Sequence, residues 1–168
     1  MSNPTEYQTK LAAYTEGKDP LALQSDTTRI LIELIDGVPQ TELQRRPKPD
    51  KWSVGEILAH LAEDEIATSW RYRQMIENSG CPLAAFDQEE WARLADYATW
   101  KPGESLRLFQ LLRDANLRML NNLSAAEWDR FGVHAERGKI SVRDLARHMA
   151  GHDRNHIGQI REILGSRR

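Results

Sequence analysis

Several times in this chain a short polar residue is followed three positions later by an acid where a helix should begin, as in Ser53 with Glu56, Asp87 with Glu90, Ser124 with Glu127, and Ser141 with Asp144. In such a pair the first side chain accepts from an amide of the opening helical turn, while the acid reaches back to the first residue's own amide. Reciprocal capping of this kind marks helix starts, so the chain reads as helical. Thr41 with Gln44 is a weaker instance. Four long helices are expected, over about 20–37, 53–78, 103–121 and 141–164, the second stopped by Gly80-Cys81-Pro82 and the last capped by Gly165. Apolar residues recur in them at helical spacing, as with Ile30, Leu31, Leu34 and Ile35, or Leu106, Phe109, Leu112 and Leu117. Shorter helices are expected over 5–15, 88–98 and 125–130, and no stretch alternates as a strand does. The segment from Pro82 to Pro102 carries Phe86, Trp91, Tyr97 and Trp100, and it reads as a cover for one end of the bundle or as a partner surface. The expected fold class is all-α, a four-helix bundle with short accessory helices.

A length of 168 residues suits one domain, 1–168, with a real core. Hydrophobic residues at 40% and charged residues at 29% are those of a soluble globular chain. A net charge of -2 gives no drive toward nucleic acid or acidic membranes, and Arg161, Arg167 and Arg168 read as a solvated helix end. The single cysteine, Cys81, excludes an intrachain disulfide and reads as a structural or incidental thiol. There is no signal-peptide pattern and no apolar run long enough to span a bilayer, so the expected location is the cytoplasm.

Three of the five histidines, His148, His152 and His156, fall four residues apart in the last helix. On a wheel of about 100° per residue, His156 lies within the apolar arc of Val142, Leu145, Met149, Ile160, Ile163 and Leu164. His152 lies toward the edge of that arc and His148 beyond it. Two readings of the inward pair stand: buried imidazoles that hydrogen-bond neighbours, or ligands of one divalent metal. A third ligand would come from another helix, and the second helix offers His60 at the flank of its arc of Val54, Ile57, Leu58 and Leu61. Asp64, one turn on, could orient an imidazole, serve as a base and hence as the candidate catalytic group, or simply be a solvated charge. Glu56 reads as the capping acid, and His134 as a rim residue in a loop.

Trp52-Ser-x-x-Glu56-x-Leu58-x-His60-Leu61, followed downstream by His152-x-x-x-His156-x-x-Gln159-Ile160, resembles the DinB/YfiT-like superfamily of metal-dependent enzymes. Phe86-Asp87-Gln88 and the His134-x-Glu-Arg-Gly138 loop are similar to one branch of it, and the resemblance spans about 19–163. It implies an up-down-down-up four-helix bundle, a homodimer, and a divalent metal (zinc, nickel or iron) held by three histidines, which map here to His60, His152 and His156. It also implies a thiol-dependent enzyme, since relatives include bacillithiol transferases and a mycothiol-dependent maleylpyruvate isomerase.

Three protein ligands on a metal leave a position for water or substrate. The expected activity is transfer of a low-molecular-weight thiol to a small-molecule electrophile, the metal holding the thiol as thiolate. The alternatives are a hydrolase using a metal-activated water, and a non-enzymatic, stress-associated metal-binding bundle.

Overall fold

The computed structural model describes residues 5–165. In chain order the elements are α1 (Glu6–Thr15), α2 (Pro20–Ile35), α3 (Gln40–Leu43), α4 (Val54–Glu77), β1 (Cys81–Leu83), α5 (Gln88–Leu94), a 3-10 turn (Tyr97–Thr99), α6 (Pro102–Asn121), α7 (Ala125–Trp128), β2 (Phe131–His134), β3 (Gly138–Ser141) and α8 (Val142–Gly165). Helices α4 and α8 start where their capping pairs place them, while Asp19 caps α2 and α6 opens on Pro102 with no side-chain cap. Ser53 and Glu56 exchange hydrogen bonds at 3.1 and 2.8 Å, and Ser141 and Asp144 do so at 3.1 Å in both directions. Ser124 and Glu127 also form the full box, whereas Asp87 caps α5 without a return bond from Glu90. Thr41 and Gln44 form none. Pro39 begins α3 instead, and Gln44 donates to the Trp100 carbonyl. Helix α8 continues through Gly165, so its cap, like Arg167 and Arg168, lies outside the described residues.

Three short strands correct the expectation of none. Parallel β1 and β2 pair Cys81 with Gly132, and antiparallel β2 and β3 pair His134 with Gly138. Strands of three or four residues are too short to show a two-residue period. Cys81 is thus a strand residue, buried in the core.

The long helices close a ring in which α4 meets α6 and α8, and α2 meets the same two, with α1 laid along α8. Cross-helix bonds fix the directions. Glu65 of α4 bonds Arg113 of α6, and Ser69 bonds Asn116, so α4 and α6 run parallel. On α8, His152 and Met149 answer His60 and Thr68, so α4 and α8 are antiparallel. Gln24 and Thr27 of α2 reach Ala146 and Asp153, which makes α2 parallel to α8 and the bundle up-down-down-up.

Two apolar clusters fill the ring. One gathers Leu31, Leu58, Leu61, Phe109, Ile157 and Ile160; the other gathers Tyr72, Met75, Leu83, Leu120, Val142 and Leu145. Between them lies an ionic layer. Arg113 bonds Asp153 at 2.5 and 3.0 Å, Glu65 at 2.7 Å and the Gln24 carbonyl at 3.2 Å, and Thr27 and Asn116 complete the two carboxylates. Burial opposes the arginine's charge, but Asp153 and Glu65 outweigh it and hold Arg113 above the ordinary arginine range. This layer bonds α4, α6 and α8 at the level of His152.

Candidate metal centre

Helix α4 is buried on every side over 53–62, enclosed by α6, α8 and the segment that follows α5. That enclosure turns His60 from a flank position on the wheel into a side chain 2% exposed. Trp52 lies against its ring at 5.2 Å, Tyr97 packs on Trp52, and the Tyr97 hydroxyl donates to Glu63 at 2.8 Å. The aromatic segment therefore acts as a cover over the histidine end of α4.

From α8, His152 and His156 meet His60. The His152 Nε2 lies 3.0 Å from His60 Nε2 and 3.1 Å from His156 Nε2, and one nitrogen from each ring falls within 4.8 Å of the others. All three rings are buried. Burial lowers their basicity. His60 falls to about 3, with His156 adding repulsion; His156 falls to about 4 against small opposing effects of Gln159 and Asp153; His152 falls well below the usual imidazole range. The lone pairs are therefore free at neutral pH, the state that ligation needs.

The outer nitrogens orient the rings. His156 Nδ1 lies 2.8 Å from the Gln159 side-chain oxygen, so its proton belongs there and its Nε2 presents a lone pair to His152. His152 Nδ1 is buried with no hydrogen-bond partner among the described residues, and the Asp64 carboxyl stands 3.6 Å from it. Burial and the neighbouring Glu65 push Asp64 up to about 7. Three neutral imidazole nitrogens aimed at one point are short of protons, and one divalent cation would satisfy all three. The residues present fit such an ion.

A cavity of about 670 Å³ reaches the cluster, with His156, Gln159, Trp52 and Ile57 on its inner side and Lys48 and Lys51 toward its mouth. His148 and His134 stay outside the cluster. The His148 ring is half-buried, stacked 6.4 Å from that of His152. His134 is buried at the end of β2, where its Nδ1 accepts from the Glu136 amide. Glu56 is the capping acid expected, and it also pairs with Arg46. The ionic layer was not anticipated. Its one sequence signal is that Arg113 and Asn116 share the helical stripe of Phe109 and Leu120.

The family model described as the DinB superfamily matches residues 25–160. Two proteins of Oceanobacillus iheyensis, each named "Putative metal-dependent hydrolase", are 24% identical over 140 residues and 27% identical over 139. These matches cover 83% and 82% of this chain and 80% of each relative. Among solved structures the fold is similar to YfiT of Bacillus subtilis, described as "a probable metal-dependent hydrolase with an unusual four-helix bundle topology". The TM-score is 0.80 at 18% identity, over 97% of this chain and 89% of that one. It is also similar to a mycothiol-dependent maleylpyruvate isomerase, with TM-score 0.62 at 14% identity, over 82% of this chain and 56% of that one.

Proposed function

The chain belongs to the DinB superfamily, and on that premise we propose that His60, His152 and His156 hold one divalent metal in an enzyme acting on small molecules. The observation that carries this reading is the convergence of three buried, uncharged ring nitrogens. Once bound, the ion supplies Lewis acidity, lowering the pKa of a thiol or water at the open position. The chain's own residues do the rest. Gln159 fixes the His156 tautomer, Trp52 and Tyr97 exclude water from His60, and the cavity beside His156 admits the substrate. Asp64 stands 3.6 Å from His152 Nδ1, beyond hydrogen-bond distance, and with its carboxyl near 7 it is a group beside the cluster able to take up a proton.

The reaction we favour is transfer of a low-molecular-weight thiol to an electrophile. One feature supports it: a fold neighbour is mycothiol-dependent. Hydrolysis is the second reading, favoured by the names of the relatives. Ile66 and Trp70 of α4 and Leu111 of α6 are exposed apolar surface available to the second copy of a homodimer.

Elemental analysis of freshly purified protein tests the site. One divalent ion per chain is expected in the wild type and none in His156→Ala, while Asp64→Asn keeps the stoichiometry with affinity lower by about 10–100-fold. Unchanged metal in His156→Ala would remove the triad. Metal-loaded protein assayed with small thiols and electrophiles, and separately with esters and amides, then decides the reaction. Ester or amide cleavage with no thiol transfer above the uncatalysed rate would favour the hydrolase.

A further inference from the structure

The three histidines stand on two helices, so their meeting depends on how α4 is set along α8. Directly, the two helices share the imidazole contacts, the Asp64 carboxyl 3.6 Å from His152, and the Thr68 hydroxyl on the Met149 sulfur at 3.4 Å. A thioether is a weak acceptor, and imidazole lone pairs aimed at one point do not attract one another. The ion pair that joins both helices comes from α6. Arg113 bonds Asp153, the residue after His152, at 2.5 and 3.0 Å. It also bonds Glu65, five residues past His60 on α4, at 2.7 Å.

The guanidinium has no slack at these contacts. Its Nη1 serves Asp153 and the Gln24 carbonyl, and its Nη2 serves Asp153 and Glu65, so each terminal nitrogen is engaged twice. The group lies over the Phe109 ring, 4.6 Å from its centroid. Thr27 of α2 holds the Asp153 carboxylate at 2.9 Å, and Asn116 of α6 holds that of Glu65 at 2.8 Å. All four long helices are thus tied at one level.

Stability is a weak reason for such a layer. It sets two carboxylates against one guanidinium, each side chain at most 1% exposed. Desolvating buried charges offsets most of what their pairing returns, and apolar side chains of similar volume commonly serve stability as well or better. Register is a stronger reason. A metal centre needs its ligands held to within about 0.5 Å. Apolar side chains tolerate a slide of that size, whereas a forked ion pair weakens steeply as distance and angle depart from their optimum.

We propose that Arg113 is the positioning residue of the metal centre, holding Glu65 and Asp153 so that α4 and α8 keep the register in which His60 meets His152 and His156. The inference rests on the proposed triad. Arg113 bonds none of the three imidazoles. It acts through the backbone that joins Asp153 to His152 and Glu65 to the turn carrying His60.

Zinc affinity is measured by competition with a chromophoric chelator, and ligand geometry by the visible bands of the cobalt(II)-loaded protein, at a temperature where circular dichroism shows each variant folded. The triple variant Glu65→Leu, Arg113→Met, Asp153→Leu makes the layer apolar. It should melt above Arg113→Met alone, yet bind zinc about 10–100-fold more weakly than wild type and shift the cobalt bands. Arg113→Lys, which keeps the charge without the fork, should fall between. Leu120→Ala truncates the second apolar cluster on the same helix. It should lower Tm and leave zinc affinity and cobalt bands unchanged. Wild-type affinity and bands in either layer variant would overturn the proposal. So would an equal loss of affinity in Leu120→Ala, which would mark the effect as one of stability. Should the triple variant not fold, Arg113→Lys against Leu120→Ala decides. Wild type that binds no zinc would sink the proposed triad and this inference with it. Wild type that binds one zinc, matched by the layer variants, would sink this inference alone.

Discussion

Removing a carboxylate should make this protein more sensitive to acid. His60 and His156 are ordinary imidazoles in the unfolded chain, near 6.5, but fall to about 3 and about 4 when folded. As the pH drops below 6.5 the unfolded chain binds protons that the native state refuses, so stability is lost as pH falls. From pH 7 to pH 5 the loss is about 2 kcal/mol for each of these two imidazoles, or about 4 kcal/mol together. Asp64 acts with the opposite sign. Its folded carboxyl is raised from 3.8 to about 7, so the native state takes the proton first, returning about 2 kcal/mol over the same interval. His148, held down to about 4, adds a loss of about 2 kcal/mol in the same way and His152 moves in the same direction, so metal-free wild type should lose at least about 4 kcal/mol between pH 7 and pH 5, and Asp64→Asn about 2 kcal/mol more than wild type. Both are sizeable against a domain stability of about 5–15 kcal/mol. Urea unfolding followed by circular dichroism, on chelator-treated protein at pH 7, 6 and 5, measures the difference, with m-values unchanged. An acid profile for Asp64→Asn no steeper than that of wild type would refute the reasoning.

Two stability predictions accompany it. Arg113→Met strands the buried carboxylates of Glu65 and Asp153, at 1% and 0% side-chain exposure, and should cost about 3–5 kcal/mol, lowering Tm by about 6–20 °C; a shift within the error of calorimetry would show the ionic layer to be dispensable. Gly151→Ala places a methyl 2.9 Å from the Leu11 carbonyl carbon and 3.0 Å from its Cβ, so α1 must move off α8 at a cost of about 1–3 kcal/mol. Thermal melting with no loss for Gly151→Ala would contradict the close approach of the two helices.

The four long helices were legible because caps and apolar stripes are local, governed by residues three or four apart. Ser53 and Glu56 show it, since each satisfies the other's backbone whatever packs above them. The inward turn of His152 and His156 was legible for the same reason, as was the exclusion of His148 from the cluster. The three strands were not, because β1 exists only through pairing with a segment some fifty residues away. Thr41 and Gln44 carried a capping pattern that the chain does not use, since Pro39 already sets the first turn of α3 and Gln44 is drawn to Trp100.

By itself, then, the sequence determined an all-α bundle with two inward imidazoles on its last helix, since a helical period is written in the order of residues. Whether His60 completes them was a question of where α4 lies against α8, and only the tertiary structure brings its Nε2 to 3.0 Å from that of His152. The same packing put Arg113 between Glu65 and Asp153. A charge's partner across the bundle has no fixed spacing along the chain, so these clusters were decided by the fold.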